Sequence, residues 1–347
     1  MKIVKTYSFR IKDSVSKKKL EQMARSVNFV WNYCNEASIK SIEYNSKWLS
    51  AYELCKLTAG CTTDLGLNSR TIQSICGEYA TKKIISKKKR LKWRNKKSLG
   101  WIPFQVNGIL IKNDTAIYYG NAFKFWKSQE IEGKLLTGSF NCNSEGKWFI
   151  NIQCQVEQNK LPKTNKVVGI DLGLKTIATT SDGVEYTSKF YAKYEKQLVL
   201  SQKAKKKRRT KSIHKKIANS RKDFLHKVSK ELIIKYDQIF VGDVSSSKLI
   251  KTNMAKSTLD SSWAMLKFML AYKAIRFGRN YYLTKENFST VTCSECLNRT
   301  FKGGLGSLGV REWTCSNCNV RHNRDVNAAK NILRMGKHTL IKGVAIV

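Results

Sequence analysis

Four cysteines stand in two tight pairs, Cys293-Ser-Glu-Cys296 and Cys315-Ser-Asn-Cys318, with eighteen residues between the pairs. Two residues between paired thiolates let both sulfurs of a turn face one ion at about 2.3 Å, and two such turns complete a tetrahedral zinc site. All four positions belong to the protein, so one structural Zn²⁺ of this kind is a staple with no position left for water. Chemistry has to lie beside this ribbon. Directly after it comes Arg321-His322-Asn323-Arg324-Asp325-Val326-Asn327-Ala328-Ala329-Lys330-Asn331-Ile332-Leu333, where an acidic residue opens an Ala-rich amphipathic helix. A lone Asp325 there would be an ordinary helix cap. It is not alone, because Lys166-Val-Val-Gly-Ile-Asp171 reads as a buried apolar strand that delivers a second carboxylate, turns at Gly173 and returns as a β-branched strand through Thr180. A carboxylate inside an apolar strand needs compensation, which a divalent metal supplies. Asp171 and Asp325 are therefore candidate ligands of one site.

The charge points to the partner. Among 347 residues, 65 Lys and Arg face 25 Asp and Glu, a formal charge of +40. A surface like that needs a polyanion. No apolar run reaches the roughly 18 residues of a membrane span and no signal-peptide pattern opens the chain, so nucleic acid is expected and a membrane is not. Four cysteines in metal spacing argue against a secreted disulfide scaffold. The expected setting is reducing and cytoplasmic, with DNA, and Cys34, Cys55, Cys61, Cys76, Cys142 and Cys154 are expected as buried thiols.

In chain order, residues 2 to 11 read as a strand, and helices follow to about residue 90, with Leu20, Met23, Ala24, Val27, Val30 and Trp31 at helical spacing. A segment from Thr71 to Ile85 ends in a basic run that includes Lys88, Lys89 and Arg90. With Trp93 and Trp101 nearby, this run is a candidate for phosphate contact and base stacking. From Trp101 to Glu157 short strands alternate with glycine turns, the punctuation of a β-barrel or sandwich. Tyr118, Tyr119, Phe123, Phe125 and Trp126 divide between barrel core and base stacking with nothing to choose between them. Residues 158 to 165 read as a linker. Beyond the Asp171 hairpin and a strand near Tyr186, nine Lys or Arg fall within residues 203 to 216, among them Lys205, Lys206, Lys207, Arg208 and Arg209. That density suggests a helix pair tracking phosphates. The following helix, 217 to 236, leads to Gln238-Ile-Phe-Val-Gly242-Asp243.

The Gly-Ile-Asp171-Leu-Gly strand, the cysteine ribbon and the Asn323-to-Leu333 helix, in that order, resemble the RuvC-type nuclease of the TnpB family, the transposon-encoded RNA-guided relatives of type V CRISPR effectors. The resemblance implies an α/β plus β architecture: an RNase H-like (RuvC) nuclease domain, 161–286 and 324–347, with a zinc-ribbon insertion at 287–323. Before it would come a wedge β-barrel, 1–12 and 91–160, interrupted by a helical recognition lobe at 13–90. It also implies a guide RNA, a target double-stranded DNA with a short motif read on the duplex, two Mg²⁺ ions, and a monomer within the ribonucleoprotein. Arg324 would neutralise the scissile phosphate, and the 203–216 block would channel single-stranded DNA.

One position departs from the pattern. A two-metal site needs a third carboxylate, which most TnpB-like sequences carry as a Glu where this chain has Gly242. Asp243 points to the opposite strand face and stays in reserve. The strand from Arg279 ends at Glu286, and branches of the family and its eukaryotic relatives, the Fanzors, carry a relocated glutamate downstream. The expected catalytic set is Asp171, Glu286 and Asp325. Two rivals stay open: a guided DNA-binding protein that does not cut, and a transposase acting without RNA.

Overall fold

The computed structural model describes residues 1–12, 14–88, 90–95, 98, 100–174, 176–187, 190–244, 262–301 and 309–341. It divides into two compact units, Met1–Glu157 and Gln158–Val347.

In the first unit β1 (Lys2–Arg10) leads into α1 (Ser14–Asn45), α2 (Ala51–Leu57), α3 (Thr62–Leu65) and α4 (Ser69–Ser86). The strands β2 (Trp101–Gln105), β3 (Ile109–Lys112), β4 (Thr115–Tyr118), β5 (Asn121–Lys124), β6 (Lys134–Cys142) and β7 (Trp148–Glu157) follow. One antiparallel sheet runs β1-β7-β6-β2 and a second is the meander β3-β4-β5. A bridge from Ile11 to Phe125 joins them. Alternation puts Trp148, Ile150, Ile152 and Cys154 of β7 inward. The aromatic run splits in two: Tyr118, Phe123 and Phe125 are core, whereas Tyr119 and Trp126 are exposed. The apolar face of α1, Leu20 through Cys34, is buried in the same core. Asn35, fully buried on α1, holds the passing chain from both sides, donating to Leu91 O and accepting from Leu91 N. Asn32 does the same for Arg94. Residues 91–94 thus form a strap along α1. Of the six other cysteines, Cys34, Cys76 and Cys154 are buried, but Cys55, Cys61 and Cys142 are only partly so.

The second unit contains β8 (Val167–Asp171), β9 (Ala178–Thr180), β10 (Glu185–Tyr186), α5 (Phe190–Lys203), α6 (Lys207–Lys235), β11 (Gln238–Gly242), α7 (Trp263–Phe277) and β12 (Asn280–Thr284). The ribbon strands β13 (Glu312–Thr314) and β14 (Arg321–Asn323) and the helix α8 (Arg324–Ile341) complete it. Its sheet has the order β10-β9-β8-β11-β12, with β8, β11 and β12 parallel. Val168, Ile170, Ile239 and Val241 share a core with α5, α6 and α7. The alternate residues face α8. That helix lies so close that a Cβ on Gly169 would collide with Ala329 O and come within 2.7 Å of Leu333 Cβ, and one on Gly336 would collide with the Phe240 ring.

Two expectations are corrected. The helix expected from 217 starts earlier: α6 begins at Lys207, inside the basic block, and with α5 ending at Lys203 the block is the junction of a helix pair; residues 207–216 carry six Lys or Arg and no acid. The 158–165 segment is not a free linker. Asp237 accepts from the backbone N–H groups of Thr164 and Asn165, and the buried Arg279 pairs with Asp237 and donates to Pro162 O at 2.8 Å. Together they clamp it to the sheet.

Candidate metal centre and nucleic-acid surface

Asp171 ends β8, and since Val241 pairs with Ile170, Gly242 stands level with Asp171 one step on. Strand alternation puts both on the α8 side of the sheet, at the carboxyl ends of parallel strands, where α/β sheets bind ligands. The chain passes Thr284, the partner of Gly242, and two residues later reaches Glu286. Its side chain turns back over the glycine: a Cβ on Gly242 would collide with Glu286 Oε2 and lie 3.0 Å from Ile332 Cδ1. Glu286 thus fills the space a side chain at 242 would need, and Oε2 is buried without a hydrogen-bond partner among the described residues. Asp243 turns the other way, into an ion pair with Lys267 of α7 at 2.9 Å.

Asp325 joins from α8. The cap of this helix is Asn323, whose Oδ1 accepts from the N–H groups of Asp325 and Val326. Asp325 is therefore released from capping, and its carboxylate pairs with Arg311 at 2.7 Å. Two buried amides fix the helix to the loop behind Glu286: Asn327 and Asn331 both donate to Thr292 O, at 2.8 and 2.7 Å, and Asn327 accepts from Ser294 N. The loop after Glu286, the first cysteine turn and the helix of Asp325 are thereby one rigid assembly.

The electrostatics suit a site that binds a cation. Asp171 is pushed up to about 8, first by burial, then by Glu286 and Asp325, with Arg324 opposing. Glu286 is pushed up to about 7 by burial, with Lys267 opposing and Asp243 adding. An orphaned carboxylate oxygen and two carboxyls that hold protons near neutrality are a donor set short of positive charge. Both folded values lie above the unfolded ones near 4. In metal-free protein the resulting stability is thus fully present below about pH 4 and is lost as pH rises through 7 to 8. Melts in Mg²⁺-free buffer with the cysteine site kept loaded with zinc should fall across that window more steeply for the wild type than for Asp171→Asn. Identical pH dependence in the two proteins would contradict this.

The four cysteines converge. Cys293, Cys296, Cys315 and Cys318 have sulfurs all within 4.8 Å of one another, a set that can hold one metal ion. The Cys293–Cys318 and Cys296–Cys315 separations are 3.6 Å, against the roughly 3.8 Å edge of a zinc–sulfur tetrahedron. Among the described residues the three carboxylates do not close to that mutual spacing. Each turn is shaped by a left-handed residue after its second cysteine, Leu297 at φ 66° and Asn319 at φ 56°. The Thr300 hydroxyl donates to Cys315 and lowers its thiol to about 6. Sequence reasoning missed His322, Arg311 and the two asparagines. The buried His322 places Nε2 3.0 Å from Cys293 Sγ and packs on Trp313. Its signal was present, as one histidine midway between the last cysteine and Asp325.

The cationic candidates are on the surface. Lys205, Lys206, Lys207, Arg208 and Arg209 are all exposed around the start of α6, which has no side-chain cap. Cations gathered at the positive end of a helix dipole repel it, and a phosphate relieves both. Lys88 and Arg90 are exposed beside the strap, and Arg90 lies over Trp93. Lys89 lies outside the described residues. Arg94 lies over Trp101 at 5.0 Å and over Trp31 at 4.1 Å, so one face of Trp101 already carries a cation. Arg324 is buried, near Asp171.

Comparison with known proteins places the chain among recognisable relatives. Residues 151–253 match the OrfB_IS605 family described as "Probable transposase", and 263–332 match the Cas12f1-like TNB domain. A protein of Streptomyces pristinaespiralis, "Putative RNA-guided DNA endonuclease", is 35% identical over 206 residues, 55% of this chain and 50% of its own length. InsQ of Escherichia coli K12, with the same description, is 27% identical over 63% of this chain and 61% of its own. TnpB-like protein L79 of Acanthamoeba polyphaga mimivirus is 35% identical over 40% of this chain and 27% of its own. The chain thus spans about half the length of the first of these relatives and less than two thirds of the others. A solved Cas12f1–sgRNA–target DNA complex shares the fold with a TM-score of 0.61 at 12% identity, over 95% of this chain and 98% of that one. The two family matches and the TnpB-like relatives lead to one conclusion: over the residues they match, the chain is similar to proteins of the TnpB family.

Proposed function

We propose that the protein is an RNA-guided DNA endonuclease with a RuvC-type centre of Asp171, Glu286 and Asp325. The observation that carries the reading is the Glu286 carboxylate over Gly242, which supplies a third acid where the strand has none. These residues would hold two Mg²⁺ ions, whose chemistry is to activate water and neutralise charge at a scissile phosphate. Asp171 and Glu286 would hold the ions as carboxylates, Asn327 and Asn331 would keep Asp325 seated, and Arg324 would add positive charge beside Asp171. One structural Zn²⁺ would occupy the cysteine set.

A guide RNA would supply sequence specificity by pairing, leaving the protein to read backbone shape and a short duplex motif. The first unit is our candidate for the wedge barrel with its recognition helices, and the cations at 205–209 for the rail that leads a single strand to the centre. The charge of +40 predicts copurifying noncoding RNA whose removal abolishes selective DNA binding. Sequencing that RNA, then repeating the binding after nuclease treatment, checks this. Protein that still selects one DNA sequence without RNA would favour the transposase instead.

A further inference from the structure

A cleft of about 690 Å³ opens between α4 and the loop that enters α2. Its walls are Trp48, Gly77, Ala80, Thr81 and Ile84, with Lys83, Lys87 and Lys88 around it and no carboxylate among its lining residues. This is the size of a small-ligand pocket. Trp48 is 41% exposed, yet it is held: the Lys83 ammonium sits 3.7 Å above the ring centre and donates to Lys88 O at 2.6 Å. The loop is held as well, by the reciprocal Ser50–Glu53 capping box and by the Ser41 hydroxyl donating to Lys47 O. Gly77 is the odd residue. A glycine in mid-helix destabilises it relative to alanine, and close packing does not require this one, because a Cβ there would meet nothing within 4 Å. What it does is keep the floor of the cleft open. An aromatic platform, a flat floor and cations that continue into the exposed Lys88 and Arg90 are the components of base stacking with phosphate contact.

We propose that this cleft receives one unpaired nucleotide of the bound nucleic acid, its base on the face of Trp48 opposite Lys83 and its phosphates on Lys87 and Lys88. The inference rests on the nucleic-acid reading above and narrows it. A paired base offers only its edges, so stacking on Trp48 selects a bulged or single-stranded residue. The chemistry is common to RNA and DNA.

The test uses the full chain and duplexes with a single bulged 2-aminopurine, one RNA and one DNA, beside fully paired controls at fixed salt. Binding should quench the bulged base and favour it over the paired control. Trp48→Ala should remove the quench and weaken bulge binding by roughly 5- to 150-fold, the range for losing one base–aromatic stack. Trp48→Phe should keep most of it, Gly77→Leu should mimic Trp48→Ala by filling the floor, and paired duplexes should bind all four proteins alike. Whichever bulged duplex responds identifies the strand, and a response in both supports a pocket that takes either. Quenching that survives Trp48→Ala, or a wild type that binds both duplexes but shows no preference for the bulge, would overturn the pocket and leave the nucleic-acid reading intact. Failure to bind any duplex would overturn both.

Discussion

Glu286→Gln is expected to lower target cleavage by about 10²-fold or more while guided DNA binding stays close to wild type. The substitution keeps the volume over Gly242 and removes the charge, so a loss reports electrostatics and metal holding, not packing. The geometry adds two sharper variants. Gly242→Ala should displace the Glu286 carboxylate, because the new methyl group needs the space of Oε2, and cleavage should fall although no acid was removed. Gly242→Glu combined with Glu286→Gly returns the acid to the strand and should recover part of the activity that either change alone destroys. Asp243→Asn should cut nearly normally, since Asp243 is engaged by Lys267 on the other face. If Asp243→Asn abolishes cleavage and Glu286→Gln spares it, the assignment is reversed.

The second large effect concerns the ribbon. Cys315→Ser, or stripping the metal with a chelator, is expected to unfold residues around the two cysteine turns and to reduce both target binding and cutting. The four-thiolate set draws its order from the ion, since structural zinc contributes folding energy outright. The damage should spread, because Ser294, in the first turn, donates to Asn327 two residues from Asp325. Metal analysis should give one zinc per chain, and amide exchange after chelation should rise in 293–318 first and then at the start of α8. Pure, folded, nucleic-acid-binding protein without zinc would contradict this.

Much of this was legible in the residues. The cysteine spacing, the apolar strand carrying Asp171 and the register argument that turned Asp243 away all use local periodicity, which sequence displays directly. Glu286 was reachable as a candidate from the resemblance, in which most relatives carry an acid where this chain has Gly242 and some branches carry a relocated glutamate downstream. What stayed hidden depends on contacts between distant segments. Asn327 and Asn331 look like ordinary helix residues until both are seen buried beneath Thr292 O. Arg311 has no sequence neighbour that announces Asp325, and His322 is only one histidine until it meets Cys293. The start of α6 was placed ten residues late because apolar periodicity becomes clear only from Ile217, and the cationic turns before it carry Ile213 alone as an apolar marker. Trp101 was given to nucleic acid by its proximity to a basic run, and only the fold shows that Arg94 already lies against it.

Whether this chain cuts what its RNA specifies is decided by one assay. Protein purified with its own RNA, whose guide segment has been sequenced, is mixed with Mg²⁺ and a matched duplex library randomised beside the target. The account predicts cleaved ends at the matched site, enriched for one adjacent motif, absent with Glu286→Gln and absent in chelator. Wild-type protein that retains the matched duplex but never cuts it would contradict the account, and would make the chain a guided binder on a nuclease fold.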